Sequence, residues 1–152
     1  MTERTAVPDF SLAATGNQRF LLSAFRGHPF ILYFYPKDST PGCTDEGLQF
    51  RDLHGEFVNA GWAVFGVSRD SMASHEKFKQ KMSFPFELLS DANEQACAIF
   101  GVMKMKNMYG KKVRGIERST FAIDRDGCIA REWRGVKVAG HAAEVLAFAR
   151  SA

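Results

Sequence analysis

Apolar and polar positions along the chain fall into short runs whose period assigns an element to each. Phe30-Ile31-Leu32-Tyr33-Phe34-Tyr35 and Trp62-Ala63-Val64-Phe65-Gly66-Val67 are continuous apolar runs, the pattern of strands covered on both faces, and Phe86-Glu87-Leu88-Leu89 is a shorter one. Between them the period changes: a helix is predicted from about Gly42 to Asn59, and a polar helix from Ser71 to Met82 with Asp70 or Ser71 as its cap. A further helix covers Asn93 to Phe100. Phe10-Ser11-Leu12-Ala13 and Phe20-Leu21-Leu22 flank the turn residues Thr15-Gly16-Asn17 and predict an N-terminal β-hairpin. Arg118 to Asp124 and Cys128 to Trp133 pair across Arg125-Asp126-Gly127, and His141 to Arg150 closes as a helix. Strands alternating with helices, followed by a late hairpin, predict an α/β fold with a central mixed sheet flanked by helices.

Length and composition narrow this to one unit. A chain of 152 residues with 45% hydrophobic content suffices for one substantial core and is short for two, so residues 1–152 are read as a single domain. The net charge of +3 is spread over both signs, a pattern with no nucleic-acid or membrane footprint. The local exception is Lys104, Lys106, Lys111, Lys112 and Arg114, interleaved with Met103, Met105, Met108 and Tyr109. That stretch reads as a solvated loop, with electrostatic docking of a partner as the alternative. Met1 to Pro8 has no apolar core of signal-peptide length and no apolar run approaches roughly 18 residues, so a cytoplasmic protein is expected. Three cysteines without paired spacing fit a reducing compartment. His28, His54, His75 and His141 show no ligand spacing, and neither a metal nor a cofactor is expected.

The chemistry concentrates at Cys43. It lies in Pro36-Lys37-Asp38-Ser39-Thr40-Pro41-Gly42-Cys43-Thr44-Asp45-Glu46, directly after the first buried strand and at or near a helix start. Free cysteine has a pKa of about 8.5, and the unpaired N–H groups and positive dipole end of a helix favour the nucleophilic thiolate. Cys97, among apolar residues on a helix, and Cys128, at the start of a strand after Asp126-Gly127, read instead as small core and hairpin residues. Turn residues and hydroxyls surround Cys43, which places its side chain toward solvent or a pocket.

This segment resembles the peroxiredoxins, whose active-site pattern is Pro, three residues, Thr, two residues, Cys; Pro36, Thr40 and Cys43 match it. Tyr33-Phe34-Tyr35-Pro36-Lys37 and Thr40-Pro41-Gly42-Cys43-Thr44 are similar to the bacterioferritin comigratory, or Q-type, subgroup. So are Phe25-Arg26-Gly27, Leu89-Ser90-Asp91, Asn107-Met108-Tyr109-Gly110-Lys111 and Gly115-Ile116-Glu117-Arg118-Ser119-Thr120-Phe121, in the family's order from about residue 8 to the last helix. The resemblance implies a thioredoxin-like fold and a thiol-dependent peroxidase acting on hydrogen peroxide and organic hydroperoxides, in antioxidant defence and redox homeostasis.

Peroxide cleavage needs a thiolate in line with a weak O–O bond and donors for the oxygen that leaves. Cys43 is the expected nucleophile, with N–H groups near Gly42 and Cys43 and the Thr40 hydroxyl to align the two oxygens. Alone, Thr40 reads as an ordinary cap or turn hydroxyl; the resemblance implies an active-site residue. Asp38, Asp45 and Glu46 oppose ionisation, so a cation is required. The resemblance implies Arg118 for that role; the residues themselves allow a surface arginine paired with Glu117. Pro36 is expected to cover the thiolate, and Glu46 either to hold Arg118 by a bidentate contact or to be solvated.

One departure from the subgroup stands out. Many members carry a resolving cysteine five residues after the first, where this chain has Leu48, and others carry it on the next helix, where this chain reads Lys77-Phe78-Lys79-Gln80. The expectation is a one-cysteine cycle in which an external thiol, from thioredoxin, glutaredoxin or glutathione, reduces a Cys43 sulfenic acid. A monomer or weak homodimer is expected. The alternatives are a disulfide oxidoreductase, disfavoured because Glu46 stands where CxxC needs its second cysteine, and a holdase or interaction module on the same fold.

Overall fold

The computed structural model describes residues 5–152. Strand β4, Phe30–Phe34, explains the organisation of the rest. Successive side chains of a strand point to opposite faces. Ile31 and Tyr33, with Tyr35 just beyond the strand, enter one apolar cluster, while Phe30, Leu32 and Phe34 enter another. A strand buried on both faces needs cover on both. The first cluster takes it from helices α1, Pro41–Asn59, α2, Met72–Met82, and α4, His141–Ser151; the second takes it from α3, Gln95–Phe100, and from the N-terminal segment.

The remaining strands are β1 (Thr5–Ala6), β2 (Ser11–Ala14), β3 (Gln18–Leu21), β5 (Ala63–Ser68), β6 (Leu88–Ser90), β7 (Met103–Met108), β8 (Lys111–Ile116), β9 (Ser119–Ile123) and β10 (Cys128–Arg134). Eight of the ten form one sheet in the order β1-β10-β9-β4-β5-β6-β2-β3. β4, β5 and β6 are parallel, with α1 and α2 as their crossovers, while β9 runs antiparallel to β4 and β2 antiparallel to β6. This is the mixed, helix-flanked sheet that the alternation of strands and helices predicts. The predicted elements are present with ends shifted by a residue or two, and Ser71 is the α2 cap, its hydroxyl accepting from the Ser74 N–H at 3.2 Å.

Two features differ from expectation. β1 is a short edge strand against β10 that two residues could not announce. The basic stretch is not a loop: β7 and β8 form a separate antiparallel ribbon, with Tyr109 and Gly110 at φ 53° and 79° making the tight turn. Positive φ at both central residues is what a two-residue hairpin turn requires, and Met-Lys-Met-Lys alternation was its strand signal.

α1 lies close to its neighbours because glycines thin it. At Gly47 an added Cβ would sit 2.4 Å from Cζ of Phe84, whose ring stacks on Phe86 at 5.0 Å, whereas at Gly55, on the same helix, it would meet nothing within 4 Å. Gly47→Ala is therefore expected to lower unfolding free energy by about 1–2 kcal/mol despite better helix propensity, and Gly55→Ala to raise it by up to ~1 kcal/mol. Urea unfolding of the pair checks this; equal effects at the two positions would contradict the close packing of Phe84 on α1.

Candidate active site

The site forms where the chain leaves the carboxyl end of β4, the place at which open α/β sheets put their ligands. Half-buried Pro36 begins the connection, Ser39 turns it through a left-handed φ of 62°, and Thr40 is the residue before α1. A buried knot holds this loop. The Asp38 carboxylate accepts from the Tyr35 hydroxyl at 2.6 Å, the Ser74 hydroxyl at 2.8 Å and His75 Nδ1 at 2.7 Å, while the Asp38 N–H donates to Asp70 at 2.9 Å. His75 is fully buried, and its Nε2 lies 2.9 Å from the Leu89 carbonyl. Asp38, Asp70 and His75 bring ligand-type atoms within 4.8 Å of one another, yet these carboxylate and ring atoms face protein partners, so the cluster serves to anchor the loop. Asp38 is thus taken up by Tyr35 and by Ser74 and His75 of α2.

Cys43 is the third residue of α1 and only 2% exposed, so of the two directions its surroundings allowed, solvent or a pocket, it does not take solvent. Helical spacing puts Cys43, Glu46, Gly47 and Phe50 on the buried face. Thr40 does not cap the helix with its side chain; its hydroxyl donates to the Lys37 carbonyl at 2.8 Å. Pro41 has no N–H, and the first helical bond is Thr44 N–H to the Thr40 carbonyl. The N–H groups of Gly42 and Cys43 therefore have no acceptor among the described residues.

Arg118 arrives from across the sheet. The antiparallel register pairs Phe34 with Ser119, which sets the residue before β9 beside the end of β4 and so beside the loop. Its Nη1 donates to Glu46 Oε1 at 2.6 Å and its Nη2 lies 3.5 Å from Cys43 Sγ. Its partner is Glu46 and not the adjacent Glu117, and the contact is single, not the bidentate one expected, since Glu46 Oε2 is buried without a partner among the described residues. Gly42 leaves room for the guanidinium: a Cβ there would lie 3.2 Å from Nη2.

The electrostatics follow from this enclosure. Burial pushes the Glu46 carboxyl up to about 7 even though Arg118 pulls the other way. Burial also works against the Arg118 cation, but Glu46 and Cys43 outweigh it and raise the guanidinium further. Lys106, on β7, is a second cation that the sequence reading left in a solvated stretch; it donates to the Ile116 carbonyl. Burial lowers its ammonium, Arg118 adds to that, and Cys43 acts in the opposite sense, so its charge and that of the thiol lie within each other's field.

The other cysteines are placed apart. Cys97 belongs to the cluster on the opposite face of the sheet from Cys43, and burial pushes its thiol well up, with Asp91 adding to the effect. Cys128 starts β10, next to Ile129, whose partner Ile123 lies opposite Phe30. It is therefore level with the beginning of β4, about 13 Å of strand from the end that carries Cys43.

The AhpC/TSA family model matches residues 4–132. The chain is 54% identical to peroxiredoxin Bcp of Xanthomonas campestris over 91% of this chain and 87% of that protein, and 47% identical to peroxiredoxin Bcp of Bacillus subtilis over 91% and 88%. A cysteine-to-serine variant of Xanthomonas campestris peroxiredoxin Q superposes with a TM-score of 0.93 at 49% identity, covering 99% of this chain and 98% of that one. The structure of the bacterioferritin comigratory protein of that organism, solved to explain its alkyl peroxide reduction, gives 0.91 at 50% identity over 97% and 96%. The chain belongs to the AhpC/TSA family. Within it, the chain is a peroxiredoxin of the Bcp or Q-type subgroup, a thiol-dependent peroxidase.

The raised Glu46 carboxyl has a consequence for stability. Between about pH 4.5 and 7 the folded protein keeps a proton there that the unfolded chain has released, so this group's contribution falls as pH rises through that window and is level above it. Glu46→Gln, which carries no charge, should gain on the parent by a few kcal/mol at most between pH 5 and pH 8. Urea unfolding of both proteins at the two pH values tests the sign; a stability difference independent of pH would contradict it.

Proposed function

We propose that the protein reduces hydrogen peroxide and organic hydroperoxides with Cys43 as the peroxidatic nucleophile and Arg118, Thr40 and Pro36 completing the site. The observation that carries this reading is the contact of Arg118 Nη2 with Cys43 Sγ at 3.5 Å, beside two unclaimed N–H groups. The Cys43 thiolate attacks one peroxide oxygen; the S–O bond forms as the O–O bond breaks, leaving a sulfenic acid and an alkoxide or hydroxide that takes a proton from water. Arg118 and the Gly42 and Cys43 N–H groups donate to the two oxygens as charge moves between them. Because the Thr40 hydrogen is committed to the Lys37 carbonyl, its oxygen is left to accept the peroxide O–H, which orients the substrate. Pro36, without an N–H, closes the thiolate side of the loop, and Glu46 holds Arg118 in place.

The cycle ends with an external thiol, from thioredoxin, glutaredoxin or glutathione, in a reducing compartment such as the cytoplasm. Support comes from the cysteines themselves: a disulfide needs Cα atoms within about 7 Å, while Cys97 lies beyond the sheet and Cys128 at the other end of it. Residues 1–152 are taken to act as one domain, and a monomer or weak homodimer suffices because every proposed site residue comes from one chain. A holdase on the same fold is the rival, and Cys43→Ser separates them by abolishing peroxide consumption while sparing any holdase activity.

Arg118→Met and Thr40→Val are each expected to lower the second-order rate with peroxide on the order of 100-fold with the fold retained. Stopped-flow kinetics on the reduced protein measures this, and rates within twofold of the parent would remove the residue from the mechanism. One equivalent of hydrogen peroxide should give a dimedone-reactive Cys43 sulfenic acid, and excess should drive it to sulfinic acid. Intact mass spectrometry showing loss of two hydrogens, with Cys97 or Cys128 bridged to Cys43, would overturn the one-cysteine cycle.

A further inference from the structure

The β7–β8 ribbon stands outside the main sheet and pairs only with itself. Its register puts Lys104, Lys106, Lys111 and Val113 on one face and Met105, Lys112 and Arg114 on the other. No acidic residue occurs from 95 to 116. Glu94 engages Arg114 through both oxygens, at 2.6 and 2.7 Å, while Lys104, Lys111 and Lys112 have no carboxylate partner among the described residues. The ribbon also carries Met105, Tyr109 and Val113, which are 61%, 100% and 42% exposed, three of the five large exposed apolar side chains described. β8 ends at Ile116, two residues before Arg118, and Cys43 is among the groups whose charge acts on the Lys106 ammonium. Each face of the ribbon thus carries uncompensated lysine with an exposed apolar side chain, Lys104 and Lys111 with Val113 and Lys112 with Met105, and Tyr109 adds an exposed ring at the turn, on the strand pair that leads into Arg118.

We propose that this ribbon is the docking surface for the protein dithiol that regenerates Cys43, a partner whose thiol is set in an acidic and partly apolar surface. The inference rests on the external-thiol cycle proposed above. A protein fits better than a small thiol because six-residue strands span about 20 Å, and because aromatic and Met side chains with cations around them are what protein interfaces select. Opposite charge steers such a partner on approach, so the effect falls on association and is screened by salt. In the step itself the partner's thiolate attacks the sulfur of the Cys43 sulfenic acid, an S–S bond forms, and the S–O bond breaks to release hydroxide, which leaves as water with the thiol's proton. The partner's second thiolate then attacks the partner's own sulfur, returning Cys43 as thiolate and leaving the partner oxidised by two electrons.

The test is the triple variant K104E/K111E/K112E, which touches no residue of the site, assayed with three reductants: an acidic thioredoxin, glutathione and neutral dithiothreitol. The expected result is a loss of at least tenfold in kcat/KM for thioredoxin at low salt, shrinking toward the parent value at 0.3 M salt, with the dithiothreitol and glutathione rates within twofold. Stoichiometric peroxide reaction, measured without reductant, should not change. Thioredoxin rates within twofold of the parent would overturn the proposal, as would an equal loss with glutathione, which would mark a site for small anions. A parent protein turned over by glutathione but not by thioredoxin would overturn it as well. If an intramolecular disulfide forms instead of a sulfenic acid, the one-cysteine cycle fails, yet the ratio of thioredoxin to dithiothreitol rates still decides whether the ribbon docks the reductant.

Discussion

One guanidinium serves two acidic groups. Arg118 is bonded to Glu46 and in contact with Cys43, both of which project from the buried face of α1. Glu46 is not comfortable there alone: burial pushes it to about 7 even with its partner in place. The arrangement persists because Arg118 is delivered by the sheet, by the register that pairs Phe34 with Ser119, and not by a mobile loop. The cation at the thiol is thus as fixed as the hydrogen bonds between β4 and β9, which is the preorganisation that charge-stabilising sites need.

The surroundings are arranged around that triad. Gly42 admits the guanidinium against the first turn of α1, and Gly47 admits the Phe84 ring one turn on. Asp38 is held in its knot with Tyr35, Ser74 and His75, which ties the loop to α2. Thr40 gives up the capping role its position offers and bonds Lys37 instead, leaving two helix N–H groups unclaimed. These departures from ordinary local structure, with the left-handed Ser39 among them, fall within a few residues of Cys43.

Much of the fold is legible in the sequence because β4 and β5 are continuous apolar runs and α1 and α2 have marked starts. Cys43 is legible for the same reason, since a Pro- and Gly-rich turn between a buried strand and a helix is local information, whereas Thr40 alone reads as a cap. Arg118 is not legible: 75 residues separate it from Cys43, and only strand register, set by long-range packing, brings them together. Its assignment came from family resemblance. The burial of Cys43 and the single Glu46 contact were equally out of reach, because both depend on how closely α1 lies on the sheet. The β7–β8 ribbon was missed although its alternation was visible, since charged residues on a strand unpaired with the core read as a loop.

The claim that Glu46 works through Arg118 is tested most directly by a double-mutant cycle on the rate of peroxide reaction, using Glu46→Gln, Arg118→Met and both together. If Glu46 acts only by holding the guanidinium against the sulfur, its substitution slows the parent protein but changes the rate by less than twofold once Arg118 is absent. Effects that multiply, with Glu46→Gln as damaging in the Arg118→Met background as in the parent, would contradict the account.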